Sequence, residues 1–440
     1  MLLALLLAQL VPADPAGPIV TNPATMRQYA FFEAFPASGA GTTTACSTTA
    51  PTGAKGEVLT FTRASSATCT KTASGGLATT GIADGDLVSM SSNVARVEYD
   101  SAGTLGLLVE SSRTNVLLRS QEISNTVWTA LGEGGGTAPT KVATDSTIAP
   151  DGTVTAETVT FAATSSTQGS FLYQSVGELT GVATHSDFLR AVSGSCTLDI
   201  CETWNGTANT TCSSCTITDA SWTRCGVTGG SGTGTSRFPI IGNVSSRNGG
   251  TARAACTAYI WGEQHEVGAY ATSYIPTTSA AVTRVVESAS FDGLSISSAN
   301  GLSWAATVWH PSGNGGAVWA AGVNLTQDAS NRTQLYRANT NVQQCEVFST
   351  SGNISTGTVI SVYTANQAYR QACSYSGAGA SSTVSGYRNG TLTGTSAAGL
   401  TSAWTATSVL PGALGVAATT GPADGVVSRV CIDPSPTRCR

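Results

Sequence analysis

TARAACTAYIWGEQHEVGAYATSYIPTTSAAVTR, residues 251–284, decides the fold class. Ala252, Ala254, Cys256, Ala258 and Ile260 recur at every second position. A strand, not a helix, puts such residues on one face, and that face is predicted to point inward. Working outward, TVTAETVTF (153–161) and SFLYQSV (170–176) are rich in β-branched and aromatic residues, as strands are. CTLDICETW (196–204) and TTCSSCTIT (210–218) lie on either side of Asn205-Gly206, a hairpin-turn dipeptide. Downstream, Leu302, Trp304, Ala306 and Val308 of GLSWAATVWH alternate inward, and Trp309 takes the other face. GAVWAAGV (316–323) is expected as its hairpin partner across Asn314-Gly315, and Asn389-Gly390 as a tight turn. No amphipathic helix of ordinary length is visible. The reading is all-β: two tandem antiparallel β-sandwiches of jelly-roll type with a small N-terminal β segment.

The chain has 440 residues, which suits two sandwiches and a leading segment. Charged residues are 11% and hydrophobic ones 41%, so the composition is that of packed strands rather than of disorder. A net charge of −5 argues against nucleic acid or an anionic membrane as partner, since both select a basic surface. MLLALLLAQL followed by VPADPAGP reads as a signal-peptide-like segment over 1–16, too short to span a bilayer. Residues 17–110 read as a linker and small β region, 111–280 as the first sandwich and 285–440 as the second.

Twelve cysteines fall in local groups: Cys46 and Cys69; Cys196, Cys201, Cys212, Cys215, Cys225 and Cys256; Cys345, Cys373, Cys431 and Cys439. Such grouping predicts disulfides within domains and an oxidising compartment. Cys212 and Cys215 have zinc-like spacing but no second close pair with them. Cys46 and Cys69 are expected to staple the N-terminal region. In the 196–218 hairpin Cys201 faces Cys212 and Cys196 lies near Cys215. No single register serves both, so the pairing stays open.

Catalytic signatures are poor. There is no G-x-S-x-G elbow or H-E-x-x-H, and only His185, His265 and His310 could serve as a histidine base. GGSGTG at 229–234 lacks the Lys-Ser/Thr of a phosphate loop. The carboxylates of Asp199 and Glu202, or of Glu263 and Glu266, lie on strands and do not read as a glycosidase pair. The expectation is a protein that is not an enzyme.

Two stretches carry a resemblance. GLLVESSRTNVLLRSQEISNTVW runs from Gly106 to Trp128, and YIWGEQHEVGAYATSYIPTTSAAVTR from Tyr259 to Arg284. With TFTRASSAT before them, they resemble the start and end of a carbohydrate-binding-like β-sandwich module of phage tail, tailspike and head-spike fibres. That module also occurs in secreted bacterial proteins beside a concanavalin A/laminin-G-like sandwich, which residues 286–440 resemble more loosely. His265 stands where the family often has an apolar residue.

The resemblance implies non-catalytic recognition of a surface glycan or matrix polymer by a secreted or cell-surface protein. The alternative is a structural fibre protein of a virion, and less so a polysaccharide depolymerase. Sugar binding by sandwiches uses aromatic faces. The candidates are Tyr173, and Trp204 beside the hairpin turn, with Trp309, Trp319 and Tyr336 in the second sandwich; Trp128, Trp222, Trp261 and Trp304 match structural positions. No cofactor is required. A structural calcium is the ion the resemblance brings in, with Glu110, Glu122 and Glu266 as oxygen ligands. Ion pairing of these acids to Arg113 or Arg284 is the alternative.

Overall fold

The computed structural model describes residues 45–48, 59–71, 80–99, 105–204, 209–229, 235–310, 320–321, 323–338, 342–356, 358–359, 367–411 and 425–433. The signal-like segment, Trp319 and Cys439 lie outside the described residues. Among those residues the secondary structure is all strand, every pairing is antiparallel, and no helix is long and apolar enough to cross a membrane.

The first sandwich packs two sheets. One runs in the order Thr80–Ile82, Trp222–Gly229, Ala183–Ala191, Cys256–Val267, Ala156–Phe161, Thr140–Thr147. The other runs Asn209–Thr218, Ser195–Trp204, Thr235–Asn243, Gly169–Tyr173, Thr129–Glu133, with Val176–Leu179 also on Thr235–Asn243. Phe161, Leu172, Leu189, Leu198, Ile200, Ile241, Ala258 and Ile260 fill the space between them.

The predicted inward face is correct from Cys256 onward. Ala252 and Ala254 are exposed and precede the strand, because Arg253 is held outside it by a bridge to Thr164 and an ion pair with Asp199. A bulge follows at Gly262, whose φ is +71°, and a Cβ there would sit 2.8 Å from the Phe188 ring. Phe188 pairs with Trp261 and Ser186 with Gln264, so one extra residue is accommodated and the alternation shifts. Glu263 and His265 thereby continue the inward face of Ile260.

The second sandwich also has two sheets. One contains Thr60–Thr62, Ser288–Ser297, Thr405–Pro411, Val323–Thr326, Arg332–Ala338, Val342–Ser349 and Gly352–Ser355 in that order. The other runs Thr391–Ala397, Thr383–Arg388, Gln367–Tyr375, Leu302–His310, Gly425–Asp433, Leu105–Val109, Arg96–Tyr99. Leu302, Trp304, Ala306 and Val308 enter its core as expected, with Phe61, Leu107, Val109, Phe291 and Trp404. Asn389 and Gly390 both have positive φ, at 48° and 78°, and make the expected turn. The described part of the 316–323 stretch is not paired with Leu302–His310, whose neighbours are Gln367–Tyr375 and Gly425–Asp433. That part, Ala320–Ala321 and Val323, lies in the opposite sheet.

The described residues of 59–109 are shared out rather than gathered into a unit of their own. Thr60–Thr62, Arg96–Tyr99 and Leu105–Val109 join the second sandwich, Thr80–Ile82 joins the first, and only Ala67–Thr70 with Leu87–Met90 makes a separate two-stranded sheet. The chain therefore begins the second sandwich, leaves to build the first, and returns.

Five disulfides occur among the described residues: Cys46–Cys69, Cys196–Cys256, Cys201–Cys212, Cys215–Cys225 and Cys345–Cys373. The hairpin register places Cys201 opposite Cys212, which leaves Cys196 opposite Ile217 and Cys215 opposite Leu198. Those two inward sulfurs bond instead to other strands.

Candidate functional site

The outer face of the second sheet of the first sandwich carries a groove of about 190 Å³ lined by Leu131, Phe171, Tyr173, Thr203, Phe238, Ile240 and Arg247. Strand alternation builds it. Leu172 and Ile241 point into the core, so Phe171, Tyr173 and Ile240 point out. The register then brings them together: Tyr173 lies opposite Ile240, Phe171 opposite Leu131, and Thr203 opposite Phe238.

The Tyr173 ring is 6.1 Å from Phe238, edge-on, and 6.3 Å from Phe171. Tyr173 and Phe238 are half-buried, while Phe171 forms the floor. The Cys201–Cys212 disulfide packs on the same face and ties two strands of this sheet together. Arg247 stands over Phe171 with Cζ at 5.2 Å from the ring centroid. Glu133 fixes the guanidinium through Nη2 at 2.6 Å and Nε at 3.0 Å. Those hydrogen bonds hold the Glu133 carboxyl below the usual carboxylate range, so the pair stays charged. The result is an apolar aromatic surface edged by a hydroxyl and an oriented cation.

Of the predicted ligand residues, Tyr173 lies in this groove. Trp204 does not share its face: it pairs with Arg237 on the core-facing side, with Arg237 Cζ 5.8 Å from its ring centroid. Trp309, expected on an exposed face, is only 2% exposed and packs against Leu108 and Ala368. The added strand Leu105–Val109 is what brings Leu108 into this sheet. Tyr336 lies in Arg332–Ala338, but its side chain is outside the described residues. Phe171 and Phe238 were not singled out from sequence. The two-residue spacing of Phe171 and Tyr173 was a usable signal, whereas the position of Phe238 depends on register.

The three expected calcium carboxylates are not brought together. Glu110 and Glu266 lie in a buried polar joint between the sandwiches. Arg96 binds Glu287 through Nε at 2.8 Å and Nη2 at 2.6 Å, and reaches Glu110 at 2.6 Å. Arg63 reaches Glu287 at 2.7 Å and Arg284 reaches Glu110 at 2.9 Å. Ser273 donates to both oxygens of Glu110, and Glu266 accepts from Gln264 and Thr272. These donors fill the oxygens a cation would need. Glu122 is at the surface, paired with Arg119 at 3.0 Å. Asn115, in the neighbouring short strand Arg113–Asn115, donates to the carbonyls of Glu263 and Ile275 and accepts from His265 N–H. The motif residues behind the family resemblance thus bind chiefly one another. Among the described residues, one trio brings histidine and carboxylate ligand atoms within 4.8 Å, and it lies inside the first sandwich: His185, Asp187 and Glu263.

No family model and no curated protein matches the chain. Solved structures that are similar in part include three from different proteins. A mutant NanB sialidase from Streptococcus pneumoniae is 10% identical over 34% of this chain and 26% of its own, at a TM-score of 0.26. The N-terminal CBM22 tandem domain of Paenibacillus barcinonensis Xyn10C is 11% identical over 72% of this chain and 97% of its own, at 0.26. Domains LG4-5 of the mouse laminin alpha1 chain are 11% identical over 59% and 84%, at 0.21. Likeness at this level carries no argument about ligand or activity. The all-β class rests on the sheets themselves.

Proposed function

We propose that the chain is an exported binding protein whose first sandwich holds a neutral or anionic sugar polymer in the Phe171–Tyr173–Phe238 groove, without catalysis. The observation that carries this reading is the contiguous aromatic surface on a solvent-facing sheet, with Arg247 held in place beside it by Glu133. Aromatic faces stack on the C–H surface of a pyranose, and a fixed guanidinium donates to hydroxyl or carboxylate oxygens. The lining residues offer stacking faces and donors rather than a facing pair of acids. Five disulfides support an oxidising compartment.

A polysaccharide array followed by calorimetry on the best polymer tests the proposal. Tyr173→Ala and Phe238→Ala are each expected to weaken binding by about 1–3 kcal/mol, the scale for removing a central contact. Trp204→Ala serves as the off-groove control and should bind as the parent does. Full-strength binding by both groove variants overturns the assignment of the site. Release of reducing ends from the polymer overturns the non-catalytic part.

A further inference from the structure

The core of the first sandwich turns from apolar to ionic past the Gly262 bulge. His185 and Asp187 lie two apart on Ala183–Ala191, and Glu263 and His265 two apart on Cys256–Val267, so each pair shares its strand's inward face. All four residues are fully buried. His185 Nε2 lies 2.8 Å from Asp187 Oδ1 and 2.9 Å from Glu263 Oε2. The approach to Asp187 lacks hydrogen-bond alignment, and both Asp187 oxygens and Glu263 Oε1 have no protein donor. The His265 ring stands edge-on to His185, with centroids 6.3 Å apart. Its Nε2 is 2.8 Å from Glu202 Oε2, again without alignment.

The carboxylate oxygens are not all satisfied within the protein. Glu202 is matched by Arg237 at 3.0 Å, which leaves Asp187 and Glu263 as two carboxylates converging on one imidazole nitrogen. Buried carboxylate oxygens left without a donor are costly, and a bound cation would offset that cost. We propose that His185, Asp187 and Glu263 bind a divalent first-row transition metal ion inside the first sandwich, with His265 and Glu202 as its immediate polar surround. One imidazole nitrogen and two carboxylate oxygens are a donor set suited to zinc, at about 2.0–2.2 Å from each ligand. The imidazole disfavours calcium, whose ligands are oxygens. Complete burial means that the ion enters as the chain folds and contributes to folding free energy.

The test unfolds the whole protein in guanidinium with its disulfides intact and strips it with chelator. It is then refolded with Zn²⁺, Co²⁺ or Ca²⁺, or with chelator present. After gel filtration, metal analysis should find about one zinc or cobalt per chain and no calcium, with a higher Tm for the metal-refolded protein. Cobalt should give visible absorption bands of a nitrogen- and oxygen-ligated site. Asp187→Asn and Glu263→Gln keep side-chain shape, and each should lose at least about tenfold in metal affinity while retaining the far-ultraviolet spectrum of β-structure. Parent protein that refolds fully with chelator, takes up no zinc or cobalt and shows one Tm throughout overturns the proposal. The carboxylates are then balanced by protons. Calcium uptake at this site overturns the assignment of the ion.

Discussion

Arg96 shows how much of this molecule hangs on single side chains. It engages Glu287, Glu110, Ser273 and the carbonyl of Thr68 at once, in full burial. Arg96→Met removes the cation and leaves two buried carboxylates short of a partner. The expected loss is about 3–5 kcal/mol, read from urea unfolding. Glu98, beside it, responds to pH in an unusual direction. Burial, only partly opposed by Arg96, pushes its carboxyl up to about 7, against 4.5 as the ordinary value. The native state thus holds a proton that the unfolded chain releases. The stability Glu98 contributes is complete below about pH 4.5 and is lost as pH rises through 7. Glu98→Gln should flatten this fall, worth on the order of 3 kcal/mol, between urea unfolding curves at pH 5 and pH 8. Glu110 acts oppositely. Arg284 and Arg96 outweigh its burial and depress its carboxyl, so its contribution is present above pH 4.5 and lost in acid.

At the scale of elements, period-two alternation was legible wherever a strand faces one core. Leu302–Val308 and Cys256–Ile260 read correctly, as did the Asn389-Gly390 turn. Alternation also gave Trp309 its face, but not what covers that face. Leu108, two hundred residues earlier, does so, and no local pattern reports a partner at that distance. Trp309→Ala is therefore a core deletion, expected to cost about 3–5 kcal/mol in chemical denaturation while leaving ligand affinity unchanged. The ionic cluster left a fainter signal. His-x-Asp at 185–187 and Glu-x-His at 263–265 each place two polar side chains on one strand face. That both faces point inward depends on a bulge that Gly262 marks only in retrospect. The family-like motifs were legible as architecture because their polar residues bind one another across the joint. The groove was legible through Tyr173 alone.

Over the whole molecule, the first sandwich is an insertion in the second. Phe61, Leu107 and Val109 belong to the same core as Trp304 and Trp404. A fragment of residues 285–440 lacks three of those core side chains and exposes two sheet edges. It is expected to aggregate or to lack a cooperative unfolding transition, whereas residues 45–440 should unfold cooperatively. Circular dichroism and light scattering on the two proteins would decide this. A soluble, cooperatively folded 285–440 would mean that the leading strands are ornament rather than core.

The pairing of Val109 with Gly425 also sets a schedule. A chain is made and threaded from its N-terminus, so Leu105–Val109 emerges long before Gly425–Asp433, the strand that receives it. At ribosomal rates of about 5–20 residues per second, the interval is roughly 15–60 s. Throughout it the first sandwich can close while Leu105–Val109 waits with one edge unpaired, open to any other nascent copy. Crowded synthesis is then the condition under which this chain is most exposed to exchanging strands with its neighbours, and slower initiation should raise the yield of monomer.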